Sequence, residues 1–195
     1  GMAGNVYENL VSLGAECIIV TNQNEITKTR YVEEKTNHML VRIDSGEEKI
    51  EKINNLHLLD FDDYDAVVVS DYNKGFLSEK DIQYIAKRHD LVFLDTKKLL
   101  GNWVKDIKFI KINEVEYNKT KHLIENKKWF KEKLIITVGP KGCLYQDEIF
   151  HVDKVEIKDL SGAGDSFLAG LVYNFVQDKN IRKSIVFANE CATKV

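Results

Sequence analysis

Apolar residues in this chain mostly come in short unbroken runs. Ala66-Val-Val-Val-Ser70, Leu91-Val-Phe-Leu94, Phe109-Ile-Lys-Ile112 and Leu134-Ile-Ile-Thr137 are of this kind. A strand with one wet face alternates apolar and polar, so these runs predict strands covered on both faces. Helical stretches such as Asp81-Ile-Gln-Tyr-Ile-Ala-Lys-Arg88 lie between them. Repeated strand–helix units predict an α/β fold with a doubly wound, mainly parallel sheet and right-handed crossovers.

The flanking segments read differently. Gly1 to Leu13 has helical spacing and ends at Gly14, a natural cap, and Cys17-Ile-Ile-Val20 then reads as a short buried strand. Ile50 to Leu59 reads as a modest helix, and Cys143-Leu-Tyr145 as a strand entered by a tight turn. Leu168 to Val176 reads as a buried helix, and Ile181 to Val195 as a last helix with Ile185, Phe187, Ala188 and Ala192 on one side. Clear alternation appears in Thr27-Lys-Thr-Arg30-Tyr-Val32 and Met39-Leu-Val-Arg42-Ile-Asp44, joined by the polar Glu34-Lys-Thr-Asn37. These predict a hairpin over about 27–44, with Lys28, Arg30 and Val32 on one face and Arg42 and Asp44 sharing another.

Composition narrows the function classes. With 195 residues, 44% hydrophobic and 30% charged, the chain is one globular domain or part of a larger one. A net charge of −3 supplies no global basic field, so nucleic acid is not an expected partner. Cys17, Cys143 and Cys191 are odd in number and lack metal-ligand spacing, which suits a reduced, cytoplasmic protein. No apolar run is long enough to span a membrane.

The chemistry collects just past the strands. Asp71-Tyr-Asn-Lys74-Gly75, Asp95-Thr-Lys97-Lys98, Asn113-Glu-Val-Glu116 and Val138-Gly139-Pro-Lys-Gly142 each follow an apolar run. Open parallel sheets bind ligands at that edge. Near the C-terminus stands Asp159-Leu-Ser-Gly-Ala-Gly-Asp165-Ser-Phe, leading into the buried helix. Gly162, Ala163 and Gly164 leave the N–H groups of a helix N-terminus open to an anion. A carboxylate at the mouth of an anion hole makes sense if Asp165 takes a proton from a hydroxyl that attacks a bound phosphate. A Gly-rich first turn with an Asp favoured by the helix dipole is the competing account of the same residues.

Asp-x-x-Gly-Ala-Gly-Asp-x-Phe resembles the motif of the ribokinase-like sugar kinases. The resemblance implies an α/β/α three-layer sandwich with a hairpin lid, here N- and C-terminally incomplete, acting on a sugar or sugar phosphate with ATP and Mg2+. It implies that Gly162, Ala163 and Gly164 form the anion hole and that Asp165 is the base. Asn5 matches a sugar-contacting Asn, and Asn113 and Glu116 match an Asn-x-x-Glu motif that positions magnesium. Thr137, Gly139 and Gly142 resemble the nucleotide-side turn, and Asn189 falls where a nucleotide contact is expected. Asp71 and Lys74, within Ser-Asp-Tyr-x-Lys-Gly, are similar to the branch that phosphorylates heptose 7-phosphate. Arg30 and Arg42 on the hairpin would hold the substrate phosphate, and the hairpin could also pair two copies of the chain. Convergence of Arg30, Arg42 and Lys74 on one pocket separates this reading from a kinase of free sugars or nucleosides. A non-catalytic binding module derived from such a kinase is the alternative outside enzymes.

Overall fold

The computed structural model describes residues 2–36, 38–152 and 162–194. From the N-terminus come helix α1 (Met2–Ser12), strands β1 (Thr27–Val32), β2 (Met39–Ser45) and β3 (Val67–Asp71), helix α2 (Glu79–Ala86), strands β4 (Val92–Thr96) and β5 (Phe109–Asn113), and helix α3 (Glu114–Ile124). Strands β6 (Leu134–Thr137), β7 (Cys143–Tyr145) and β8 (Glu148–Phe150) follow, then helices α4 (Ala163–Asp178) and α5 (Ile181–Thr193). Strands β3 to β8 form one sheet in sequence order, with β3 to β6 parallel and β7 and β8 antiparallel.

The unbroken apolar runs are explained by two cores, one on each face of this sheet. Leu94, Ile110, Ile112 and Ile136 pack with Ile82 and Ile85 of α2 and Ile124 of α3. Phe93, Phe109 and Ile135, pointing the other way, pack with α1, α4 and α5. Phe109 meets Phe175 of α4 edge-on, with ring centroids 4.9 Å apart, a geometry that aligns ring edge and face. Helix, sheet and helix make three layers, as expected. β1 and β2 form the separate antiparallel hairpin, with Arg30 opposite Arg42.

Helix α1 ends as its sequence suggests. Gly14 has φ +95°, and the Ala15 N–H reaches back to the Leu10 carbonyl at 3.0 Å, closing a left-handed cap that glycine favours. Two expected elements are corrected. Cys17–Val20 is no strand: residues 15–26 contain no regular element, and Ile18 is 73% exposed. An apolar run becomes a strand only where a neighbour takes its backbone hydrogen bonds, and β3, the edge strand, pairs with no other strand than β4 among the described residues. Ile50 to Leu59 is no helix either, but an irregular segment with one 3₁₀ turn at Leu56–Leu58. Its three-residue apolar spacing marks where the segment touches the sheet through Ile53, Leu56 and Leu59. Strand β8 was not expected. Its hairpin turn runs through Gln146 and Asp147, with φ +50° and +65°, and lacks the Asn-Gly or Asp-Gly pair that marks such turns.

Gly142 has φ +98°, and a Cβ there would lie 2.0 Å from the Phe150 carbonyl oxygen of β8. Gly139 has φ +59° with open space around it. Urea denaturation is expected to show Gly142→Ala losing at least ~2 kcal/mol. Gly139→Ala is expected to lose only the ~1–2 kcal/mol of left-handed strain. Equal losses would mean that the β7–β8 packing does not require Gly142.

Candidate active site

Strands β3 to β6 end at one edge of the sheet, and the first turn of α4 is set beside that edge. Gly162 caps α4 with φ +94°, a conformation open to glycine at little cost. Its carbonyl accepts the Asp165 and Ser166 N–H groups, both at 2.9 Å. Among the described residues, the Ala163 and Gly164 N–H groups have no partner. Gly162 and these two donors stand where the sequence places an anion hole, with no partner for the donors among the described residues. Asp159, which begins the quoted stretch, lies outside the described residues.

Asp165 is 8% exposed. Its Oδ2 accepts the Asn5 amide of α1 at 3.1 Å, and the next residue, Ser166, donates to Asn9 Oδ1 at 3.1 Å. Asn5 is thus brought to Asp165, and Asn9 is a second anchor that the sequence did not single out. Burial pushes the Asp165 carboxyl above the usual carboxylate range. The Asn5 hydrogen bond opposes this, the Asp95 charge adds to it, and the Lys111 ammonium opposes it again. An acid so placed accepts a proton more readily than a surface aspartate.

A cleft of about 260 Å³ opens between the hairpin and the end of β3. It gathers Lys28, Arg42, Lys74 and Lys97 around Tyr72, with Asp44 and Glu47 among them. The Lys28 and Lys97 ammoniums lie 4.8 and 4.1 Å from the Tyr72 ring centre. Arg42 forks onto Asp44 through bonds of 2.8 and 2.6 Å, and Lys74 pairs with Glu47. Arg30, expected here, is exposed and does not line the cleft, whereas Lys28, two cross-strand pairs away, does. Asp71 is also not brought in. Its carboxylate accepts the Asn73 N–H at 3.0 Å and Thr96 Oγ1 at 2.9 Å, and pairs with Lys98 at 3.0 Å. It is a clasp between the ends of β3 and β4.

Lys97 also lines a second cleft with Asn113 and Glu116. Those two residues form a reciprocal cap on α3: Asn113 Oδ1 accepts the Glu116 N–H and Glu116 Oε2 accepts the Asn113 N–H, both at 2.8 Å. The cap leaves Glu116 Oε1 without a partner among the described residues. No cluster of three or more acidic, histidine or cysteine groups suited to a metal occurs among them. This donor set fits a hydrated magnesium ion arriving with a nucleotide, since magnesium keeps several waters, and does not fit a metal caged by protein. Thr137 lies in register with Asn113, and Gly139 follows with open space around it. Gly142 and Asn189, expected at the nucleotide, both meet Phe150 of β8. Asn189 is buried and its amide donates to the Phe150 carbonyl at 2.9 Å, the atom that Gly142 must clear.

A family model described as pfkB family carbohydrate kinase matches residues 12–195. The chain belongs to the pfkB family of carbohydrate kinases. The bifunctional protein HldE of a Nitratiruptor species is 30% identical over 240 aligned positions, covering 98% of this chain and 52% of the relative. The HldE protein of Helicobacter pylori (strain J99) is 26% identical, covering all of this chain and 54% of the relative. The chain thus spans about half the length of these relatives. Among solved structures, a Burkholderia thailandensis nucleoside kinase in complex with inosine superposes with a TM-score of 0.72 at 14% identity, covering 99% of this chain and 77% of that one. Thermotoga maritima ribokinase gives 0.61 at 18% identity, covering 96% and 68%. These likenesses establish the ribokinase-like fold of this pfkB family member.

Because the folded-state pKa of Asp165 is raised, this group favours folding below its unfolded pKa and weighs against it as pH rises through the folded value. Asp165→Asn is therefore expected to raise the urea midpoint at pH 7, with the gain shrinking as pH falls towards ~3.9. A midpoint lowered at pH 7 would contradict the desolvated carboxylate.

Proposed function

We propose that the chain is the kinase unit of an ATP-dependent sugar kinase that acts on a sugar phosphate resembling heptose 7-phosphate. The observation that supports this most is the pairing of a buried carboxylate, Asp165, with the N–H groups of Ala163 and Gly164 directly before it, which have no partner among the described residues. The acceptor hydroxyl would sit beside Asp165 and Asn5. Asp165 takes its proton while the oxygen attacks the γ-phosphorus of ATP, the bond to the β–γ bridging oxygen breaks, and ADP leaves. The open N–H groups of α4 stabilise charge on the transferring oxygens. Magnesium, held through water at Glu116, would neutralise phosphate charge. Thr137 and Gly139 would flank the nucleotide.

The four-cation cleft supports a phosphorylated acceptor. Its resting ion pairs mean that an incoming dianion must replace Asp44 and Glu47 as the partner of Arg42 and Lys74. A neutral hydroxyl group cannot compete for those cations. Of the three residues whose convergence was to separate the two readings, Arg42 and Lys74 line the cleft and Arg30 does not, which weighs towards a kinase of free sugars or nucleosides; Lys28, which also lines the cleft, weighs the other way. Tyr31, Met39, Leu40 and Ile43 on the hairpin are at least half exposed, which favours its use as a contact between two copies.

Coupled ATP-consumption assays across sugar phosphates, free sugars and nucleosides test the substrate class. Turnover on free sugars alone would remove the sugar-phosphate assignment and keep the kinase. Asp165→Asn is expected to retain ATP binding and lose about 10²–10⁴-fold in kcat; unchanged turnover removes Asp165 from the mechanism. Arg42→Ala with Lys74→Ala is expected to raise KM for the sugar phosphate at least ~tenfold and leave KM for ATP unchanged. A rise in both would place the cleft at the nucleotide.

A further inference from the structure

Lys111 interrupts the apolar run of β5 and is only 6% exposed. Its neighbour on the same face, Phe109, belongs to the core beneath α4. Its Nζ donates to Asp95 Oδ2 at 2.7 Å, its one hydrogen bond among the described residues. An ammonium carries three donors, so two have no protein partner among the described residues, in a buried place. The amine also lies against the first turn of α4: a Cβ on Gly164 would come within 2.9 Å of Nζ. A cation there faces desolvation and the positive end of the helix dipole together. Asp95 offsets one charge, but it also acts on Asp165, whose proton affinity it raises. Ser70, in register with Asp95, has a buried Oγ with no partner among the described residues. Among the described residues, donors outnumber acceptors around the first turn of α4.

From this arrangement we infer that Lys111 is a catalytic residue of the proposed phosphoryl transfer. Its ammonium shares the charge of the transferring phosphoryl with the Ala163 and Gly164 N–H groups. The inference rests on the kinase reading. Asp95 holds the ammonium in place before the nucleotide arrives, and the spare donors turn to the phosphoryl oxygens once it is bound. This accounts for a costly buried pair at the end of the sheet, where an apolar pair would join β4 and β5 at least as well. It also accounts for glycine at 164, because any side chain would push the amine away from the helix.

Lys111→Met alone leaves Asp95 buried and unpaired and is expected to be unstable, so the test pairs it with Asp95→Leu, which removes both charges. The double variant is expected to melt near the wild-type temperature and to lose about 10²–10³-fold in kcat. It is expected to bind β,γ-imido-ATP with magnesium about tenfold more weakly, and ADP within a factor of about two, as fits a group that meets only the terminal phosphoryl. Near wild-type turnover, or equal weakening of both nucleotides, overturns the inference. In the wild-type protein, the Lys111 ¹⁵Nζ resonance is expected to move with β,γ-imido-ATP and not with ADP, a readout independent of the variant's folding; a resonance indifferent to the analogue also overturns it. Failure of the wild type to turn over ATP with any sugar phosphate, free sugar or nucleoside would sink the kinase reading instead, and the nucleotide-binding difference would still decide the role of Lys111.

Discussion

The arrangement of charge at the first turn of α4 constrains everything around it. A carboxylate, Asp165, and an ammonium, Lys111, are both buried beside a helix N-terminus with two N–H groups that have no partner among the described residues. Each charge is tolerable only because something else is held in place. Asn5 of α1 bonds the carboxylate, Asp95 of β4 bonds the ammonium, and Gly162 and Gly164 let the chain pass with no side chain in the way. Moving any of these leaves a charge buried without its partner, which is among the more destabilising changes a fold can suffer. The site is therefore as tightly specified as the core beneath it.

That specification depends on the sheet. Parallel strands put their C-terminal ends on one edge, and side chains alternate between the two faces. On the α4 face, Ser70, Asp95 and Lys111 stand in register across neighbouring strands. On the other face, Asp71, Thr96 and Lys98 tie the strand ends together. One face carries the unsatisfied polar groups and the other a saturated clasp. Lys97 lies where the cationic cleft meets the cleft of Asn113 and Glu116.

The hairpin β1–β2 obeys a different logic. It adds no strand to the main sheet and leaves most of its surface exposed. What it contributes is a set of cations at a fixed register, Lys28 opposite Asp44 and Arg42 within reach of the β3 loop. The HldE relative from Nitratiruptor aligns over 240 positions against the 195 residues of this chain, so the relative has positions with no counterpart here.

Periodicity alone determined the layered α/β architecture, because a strand covered on both faces must be apolar throughout and a surface hairpin must alternate. The Gly-Ala-Gly-Asp stretch likewise announced a helix N-terminus with a carboxylate in its first turn, since those properties belong to the local backbone. Only the tertiary structure could decide which charges face the same space. It turned Asp71 and Asn189 to structural bonds, exchanged Arg30 for Lys28, and showed Cys17–Val20 without a strand neighbour. It also made Lys111, an apparent flaw in an apolar run, a neighbour of Gly164. Contacts between residues distant in sequence depend on register and on which face of the sheet each occupies, and no local pattern encodes either.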